Sequence, residues 1–210
     1  MENIKYLEIN KKAWNNKVPV HVDSTFYANE SFLNGRNTLP SLDLELLGNV
    51  SGKKILHLQC HFGQDSLSLA RMGAQVTGID FSEEAIKVAQ NLNEKLGLGA
   101  KFICCDVYDT LNHVDEQFDI VYTSYGIIGW LPDLEKWAKV MNMDSLNIKG
   151  RLVMSVNAEG KYSKKVVKSG LRQVDTVIAT VPTFDAKIKL SDGYFKYASL
   201  PSPIDKINFD

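Results

Sequence analysis

Between Lys54 and Val156 the chain alternates short apolar runs with amphipathic stretches. Lys54-Ile-Leu-His-Leu leads into Gln59, Gln75-Val-Thr-Gly-Ile into Asp80, and Lys101–Cys105 into Asp106. Phe118–Thr123 and Arg151–Val156 are two further runs of the same kind. Strands apolar on both faces, separated by helices, call for a parallel sheet covered on both sides. The pattern predicts helices over Asp65–Met72, closed by Gly73, over Ser82–Leu96, and near Asp133–Met141. Ser82 can cap its helix, and Glu83 and Glu84 sit in the first turn, where the macrodipole favours anions. Ala85, Ile86, Ala89, Leu92 and Leu96 make one apolar face before Gly97. Right-handed crossovers then bring all the C-terminal strand ends to one edge, where ligands bind at the switch in strand order.

The flanks are less regular. Ile4, Leu7 and Trp14 predict an N-terminal helix over 4–14, and Leu39–Leu47 a short one ending at Gly48. From Lys17 to Arg36 the chain has no clean period but carries Phe26, Tyr27 and Phe32. Long irregular stretches inside compact domains are often functional lids. Residues 1–50 are therefore expected to be a helical cap, with 14–32 a mobile cover. Residues 51–210 are expected to be the core of a single domain, with a shortened C-terminal part. There Tyr162–Gly170 reads as a helix, its Lys161, Lys164, Lys165 and Lys168 a solvated face. Gln173–Val181 and Tyr194–Leu200 read as strands that complete the sheet.

A chain of 210 residues fits one core, and 44% hydrophobic with 23% charged residues is ordinary globular composition. Its 24 basic and 25 acidic residues nearly cancel, which offers no electrostatic footprint for nucleic acid. No apolar run is long enough to span a membrane, and the first residues lack the apolar block of a signal peptide. Cys60, Cys104 and Cys105 are an odd set without zinc-ligand spacing. Free thiols, no metal and a cytoplasmic setting are expected.

Chemistry concentrates at the strand ends. Gln59-Cys60-His61-Phe62-Gly63 follows the first strand, Asp80 ends the second, and Asp106-Val107 follow the third. A carboxylate at the second strand end can accept the two hydroxyls of a ribose. One at the third can accept the exocyclic amine of adenine. The turn after the first strand can present backbone N–H groups to a carboxylate or phosphate. Only Gly63 of that turn is glycine, so the G-x-G-x-x-G pattern of a dinucleotide site is absent. A single nucleoside with a compact zwitterionic tail fits better.

The run KKILHLQCHFGQDSLSLARMGAQVTGIDFSEEAIKVAQ resembles the first two motifs of class I S-adenosylmethionine (SAM)-dependent methyltransferases. More narrowly, it is similar to bacterial members that read HLQCHFG in place of D-x-G-x-G-x-G. The likeness extends through AKFICCDVYD and FDIVYTSYGIIGWLPDLEKWAKV, and back through AWNNK and FY. It covers Met1 to about Met141. The resemblance implies a Rossmann-like α/β fold: a seven-stranded, mostly parallel sheet with an antiparallel last strand and helices on both faces.

It also implies SAM as cofactor, with S-adenosylhomocysteine (SAH) as its product. Gln59, Cys60, His61, Phe62 and Gly63 would surround the methionine part, and Asp80 would hold the ribose. Phe81 would lie beside the adenine, and Asp106 and Val107 near its amine. Ser124 and Tyr125 would meet the methionine moiety and the acceptor. Phe62, Tyr125 and Trp130 could face the sulfonium. This chain departs from the family at His57, where an acid is usual, and at Gln59 and His61, where glycines are usual. Asn147-Ile148-Lys149-Gly150 stands in place of a Pro-Gly-Gly turn.

The expectation is methyl transfer to a small-molecule acceptor, and no residue is marked as a catalytic base. Two alternatives stand beside it: a SAM-binding protein without turnover, and an NAD(P)-dependent oxidoreductase on a related sheet.

Overall fold

The computed structural model describes residues 2–124, scattered positions between 127 and 140, and strand segments between 151 and 209. The central strands are β1 (Lys54–Leu58), β2 (Gln75–Asp80), β3 (Lys101–Cys104) and β4 (Ile120–Thr123). They pair in parallel in the order β3-β2-β1-β4. Ile55, Leu56, Leu58, Val76, Ile79 and Val121 are buried, as strands covered on both faces require. The register sets Leu58 level with Ile79 on one side and Thr123 on the other, and Asp80 level with Cys104. Four strand ends thus open onto one edge. Strand order reverses between β1 and β4, and that switch point is where such sheets leave a crevice.

Helices α4 (Gln64–Arg71) and α5 (Glu83–Leu96) lie between these strands. Ser82 caps α5 by accepting from the Ala85 N–H at 3.1 Å, and Gly97 closes it in the left-handed region. Ala85, Ile86, Ala89 and Leu92 are buried, the face that the 3.6-residue period predicts. Lys136, Trp137 and Val140 are helical, and the Trp137 N–H bonds the Asp133 carbonyl at 3.1 Å. Tyr125, Met141 and residues 147–150 lie outside the described residues.

The N-terminal helix runs much further than the expected 4–14. Helix α1 spans Glu2–Val22 with Pro19 inside it, so residues 17–22 are helical and not irregular. Its inward row is Leu7, Asn10, Trp14, Val18 and His21, spaced by three and four. Asn10 and Val18 are buried. Two polar members break the hydrophobic period that marks such a helix in sequence. Short helices α2 (Asn29–Leu33) and α3 (Ser41–Leu47) follow, the second ending at Gly48 as expected.

Three further strands extend the sheet to β3-β2-β1-β4-β5-β7-β6, with β5 at Arg151–Ser155, β6 at Ser163–Val167 and β7 at Thr176–Val181. Residues 163–167 are therefore strand where a helix was expected. The sheet has its single antiparallel strand, but that strand is β6 at the edge; β7, the last to join, runs parallel to β5. The 168–175 connection is shorter than the dozen or so residues of a parallel crossover, so β6 and β7 can pair only as antiparallel neighbours. Lys164 and Lys165 fall within β6, and Lys161 and Lys168 lie outside the described residues. β9 (Gly193–Lys196) does not complete the main sheet. It joins β8 (Ala186–Leu190) and β10 (Ile207–Phe209) in a separate three-stranded sheet.

Candidate functional site

The turn from β1 into α4 alternates left-handed residues at Gln59 (φ 57°), His61 (φ 50°) and Gly63 (φ 79°). A left-handed conformation costs a non-glycine residue about 1–2 kcal/mol, so the first two positions are strained. They are the positions where the resemblance noted in the sequence implies glycine. Hydrogen bonds hold the turn in place. The Cys60 N–H donates to the Ile79 carbonyl at 2.8 Å, and the His61 N–H to Asp80 Oδ2 at 2.8 Å. At Gly63 a Cβ would stand 2.8 Å from the Phe102 ring and 3.0 Å from Ala89, so only glycine fits.

Asp80 is buried, and its second oxygen accepts from the Ser82 N–H at 2.9 Å. Burial pushes its pKa up to about 6, against the pull of backbone N–H groups of Ser82, His61 and Phe81. A carboxylate offers about four acceptor sites, so Asp80 keeps capacity beyond these backbone bonds. Asp106 uses one oxygen to accept the Tyr108 N–H at 3.0 Å, capping the 3₁₀ turn Val107–Asn112.

Two clefts meet at this edge. The first, about 780 Å³ to its open mouth, is lined by Gln59, His61, Asp80, Phe81, Asp106, Val107 and Ser124. Seven of the ten expected cofactor residues therefore share one wall. The other three, Cys60, Phe62 and Gly63, line the second cleft of about 1130 Å³. Tyr27, His61 and Ser124 border both. The second cleft also holds Asp65, whose carboxylate accepts the Thr38 hydroxyl at 2.5 Å and whose pKa burial raises.

Sequence reasoning missed what α1 contributes. Leu7 and Trp14 wall the first cleft, and Trp14 packs edge-on against His61 at 5.2 Å and Trp130 at 5.1 Å. Lys17 lies over both indoles, at 4.8 and 4.5 Å. The helix is pinned to the start of α5 by a Lys11–Glu83 ion pair and by Asn15, which bonds Glu83 and Ser82. Asn10 Nδ2 donates to the Trp130 carbonyl at 3.2 Å. His21 Nδ1 and His61 Nε2 are 2.9 Å apart. Burial, His21 and Lys17 together depress His61 to about 3, so its ring is neutral at pH 7. A row of inward residues along 7–21 was the available signal.

Beneath the turn, His57 is a neutral residue at the position where the sequence resemblance implies an acid. Its Nδ1 hydrogen-bonds Ser66 Oγ at 2.7 Å, its ring lies 4.7 Å from Tyr122, and burial depresses it to about 3. All three cysteines are free thiols, and no group of metal-ligating side chains occurs among the described residues.

The family described as "Methyltransferase domain" matches residues 55–144, the stretch that supplies most of the lining of both clefts. Over these residues the chain matches a methyltransferase domain of the class I, SAM-dependent kind. Ubiquinone biosynthesis O-methyltransferase of Chromobacterium violaceum is 36% identical over 87 residues, 41% of this chain and 37% of that protein. The protein of the same description from Coxiella burnetii is 36% identical over 90 residues, 43% of this chain and 38% of that one. The chain thus spans a little under two fifths of the length of these curated relatives. TehB from Haemophilus influenzae, at 17% identity and a TM-score of 0.52 over 74% of this chain and 63% of its own, shares the fold. The methyltransferase domain in this chain therefore has its strand-end loops where the fold places its ligand crevice. No helix among the described residues is long and apolar enough to cross a membrane.

Proposed function

We propose that the chain transfers the methyl group of SAM to a hydroxyl of a small-molecule acceptor, with SAM in the first cleft and the acceptor in the second. The observation that carries this is the convergence of Gln59, Asp80, Phe81 and Asp106 on one cleft that meets a second across His61 and Ser124. The residues fit SAM. Gln59 Oε1 is buried without a partner in the wall of the first cleft, and would accept from the ligand's ammonium group. Asp80 would accept the ribose hydroxyls, Phe81 would lie along the adenine, and Asp106 with Val107 would meet its amine. Relatives described as O-methyltransferases support oxygen as the methylated atom.

SAM supplies a methyl already activated by its sulfonium. The protein's work is alignment, which can contribute roughly 7–11 kcal/mol. Trp14 and Trp130 close the first cleft on the side of α1 and exclude water. The 1–50 segment accordingly serves as its cover. A cytoplasmic setting agrees with three unpaired thiols.

Calorimetry with SAM, SAH and NAD tests the cofactor, and transfer of labelled methyl from SAM to a filtered small-molecule cell extract tests the reaction. SAM and SAH are expected to bind and NAD not to; binding of NAD without SAH would overturn the reading. SAH binding with no labelled product would leave a SAM-binding module.

A further inference from the structure

Two of the chain's four histidines meet where the two clefts meet. His61 borders both, so an acceptor in the second cleft approaches the methyl past this ring. Its Nε2 is hydrogen-bonded to Nδ1 of His21, a half-buried residue in the last turn of α1. The charged and titratable groups facing the pair are Lys17 on α1, Tyr27 beside both rings, and Asp80, which holds the His61 N–H.

We propose that His61 and His21 form a proton-transfer pair for a hydroxyl acceptor, His61 taking the proton on the cleft side and His21 delivering it to solvent. The proposal rests on the two-cleft reading above. As the acceptor oxygen forms its bond to the methyl carbon, the C–S bond breaks and its electron pair returns to sulfur. The acceptor's O–H proton passes to His61 Nδ1, while the hydrogen on His61 Nε2 crosses the 2.9 Å contact to His21 Nδ1. His21 then loses its Nε2 proton to water, and exchange with water restores the starting tautomers after product leaves. The pairing answers a physical difficulty. A buried imidazole resists charge, so His61 alone would be a poor base. Coupled to His21, it gives up one proton as it gains another, and the positive charge appears on the more exposed ring. Lys17 opposes charge on either ring, which favours prompt release.

The test compares wild type with His21→Gln. SAM and SAH affinities are measured from about pH 5 to 8, the range in which histidine pairs titrate. A proton on the pair repels the sulfonium but not the neutral thioether of SAH. Toward the acid end of this range the SAM-to-SAH affinity ratio should therefore fall in wild type, by up to tenfold per unit, and fall less in the variant. Asp80 titrates in both proteins, so its own effect on the ratio is common to them and cancels in the comparison of wild type with variant. Labelled methyl transfer to the filtered extract at saturating SAM should drop on the order of 100-fold in His21→Gln, with SAH affinity unchanged and partial recovery on adding free imidazole. A flat ratio in wild type, or equal transfer by the two proteins, overturns the pair. Failure of wild type to bind SAH or transfer label overturns the cofactor reading instead.

Discussion

The turn after β1 and the turn after β2 lie side by side at the C-terminal edge of the sheet, and each leads into a helix. The second follows ordinary rules. Ser82 caps α5 through its side chain, acidic residues occupy the first turn, and Asp80 secures the Ser82 N–H. The first has no side-chain cap on α4 and holds Gln59 and His61 in left-handed conformations that glycine would adopt freely. Asp80 connects them: its other oxygen fastens the His61 N–H, so the well-formed turn braces the strained one. Strain persists where surrounding structure over-determines it, and this brace is one such constraint. Bulk at positions 59 and 61 brings two polar side chains into the cleft wall, which glycines would not.

The largest expected effect breaks the brace. Asp80→Ala should weaken SAM binding by about 3 kcal/mol, on the order of 100-fold, through lost ribose contacts and a loosened turn. His57→Ala, beneath the cleft, should change it by less than about fivefold, a loss of about 1 kcal/mol. Calorimetric titration of both variants checks this, and equal affinities would place the nucleoside elsewhere.

Next comes Gly63→Ala. It adds a Cβ 2.8 Å from the Phe102 ring at φ 79°, so urea unfolding should show a loss of about 3 kcal/mol. A loss under about 1 kcal/mol would mean that the turn relaxes easily. The smallest effects should differ in sign between the two turns. Ser82→Ala removes a cap and should destabilise by about 1 kcal/mol. Gln59→Gly relieves strain and should stabilise by up to about 1 kcal/mol, while SAM affinity falls with the loss of its side chain. Matching signs in the same unfolding measurements would remove the contrast between the turns.

Much of this contrast was legible in sequence. The apolar runs and the caps at Ser82 and Gly97 placed β1–β4, α4 and α5, and hence the edge where Asp80 and Asp106 stand. Ribose binding was the role expected of Asp80; its structural role in the neighbouring turn depends on a contact 19 residues away that no local pattern encodes. The extent of α1 was hidden for a related reason: Asn10 and His21 face inward because they have polar partners in Trp130 and His61, and a hydrophobicity pattern counts them as outward. At β6, lysine spacing suggested a solvated helix face where the short return to β7 imposes an edge strand.

The inward row of α1 also bears on how the chain acquires its fold. Asn15 bonds Glu83 across 68 residues and Asn10 bonds Trp130 across 120, so α1 leaves the ribosome long before its partners exist. During synthesis, Trp14 stays without its full docking surface until Trp130 has been made, a window in which exposed apolar groups invite misassembly. Such distant contacts slow folding, since loop closure precedes any gain from them. The β1–α4–β2–α5 unit, with the strained turn inside it, is then expected to fold first and the aromatic wall to form last.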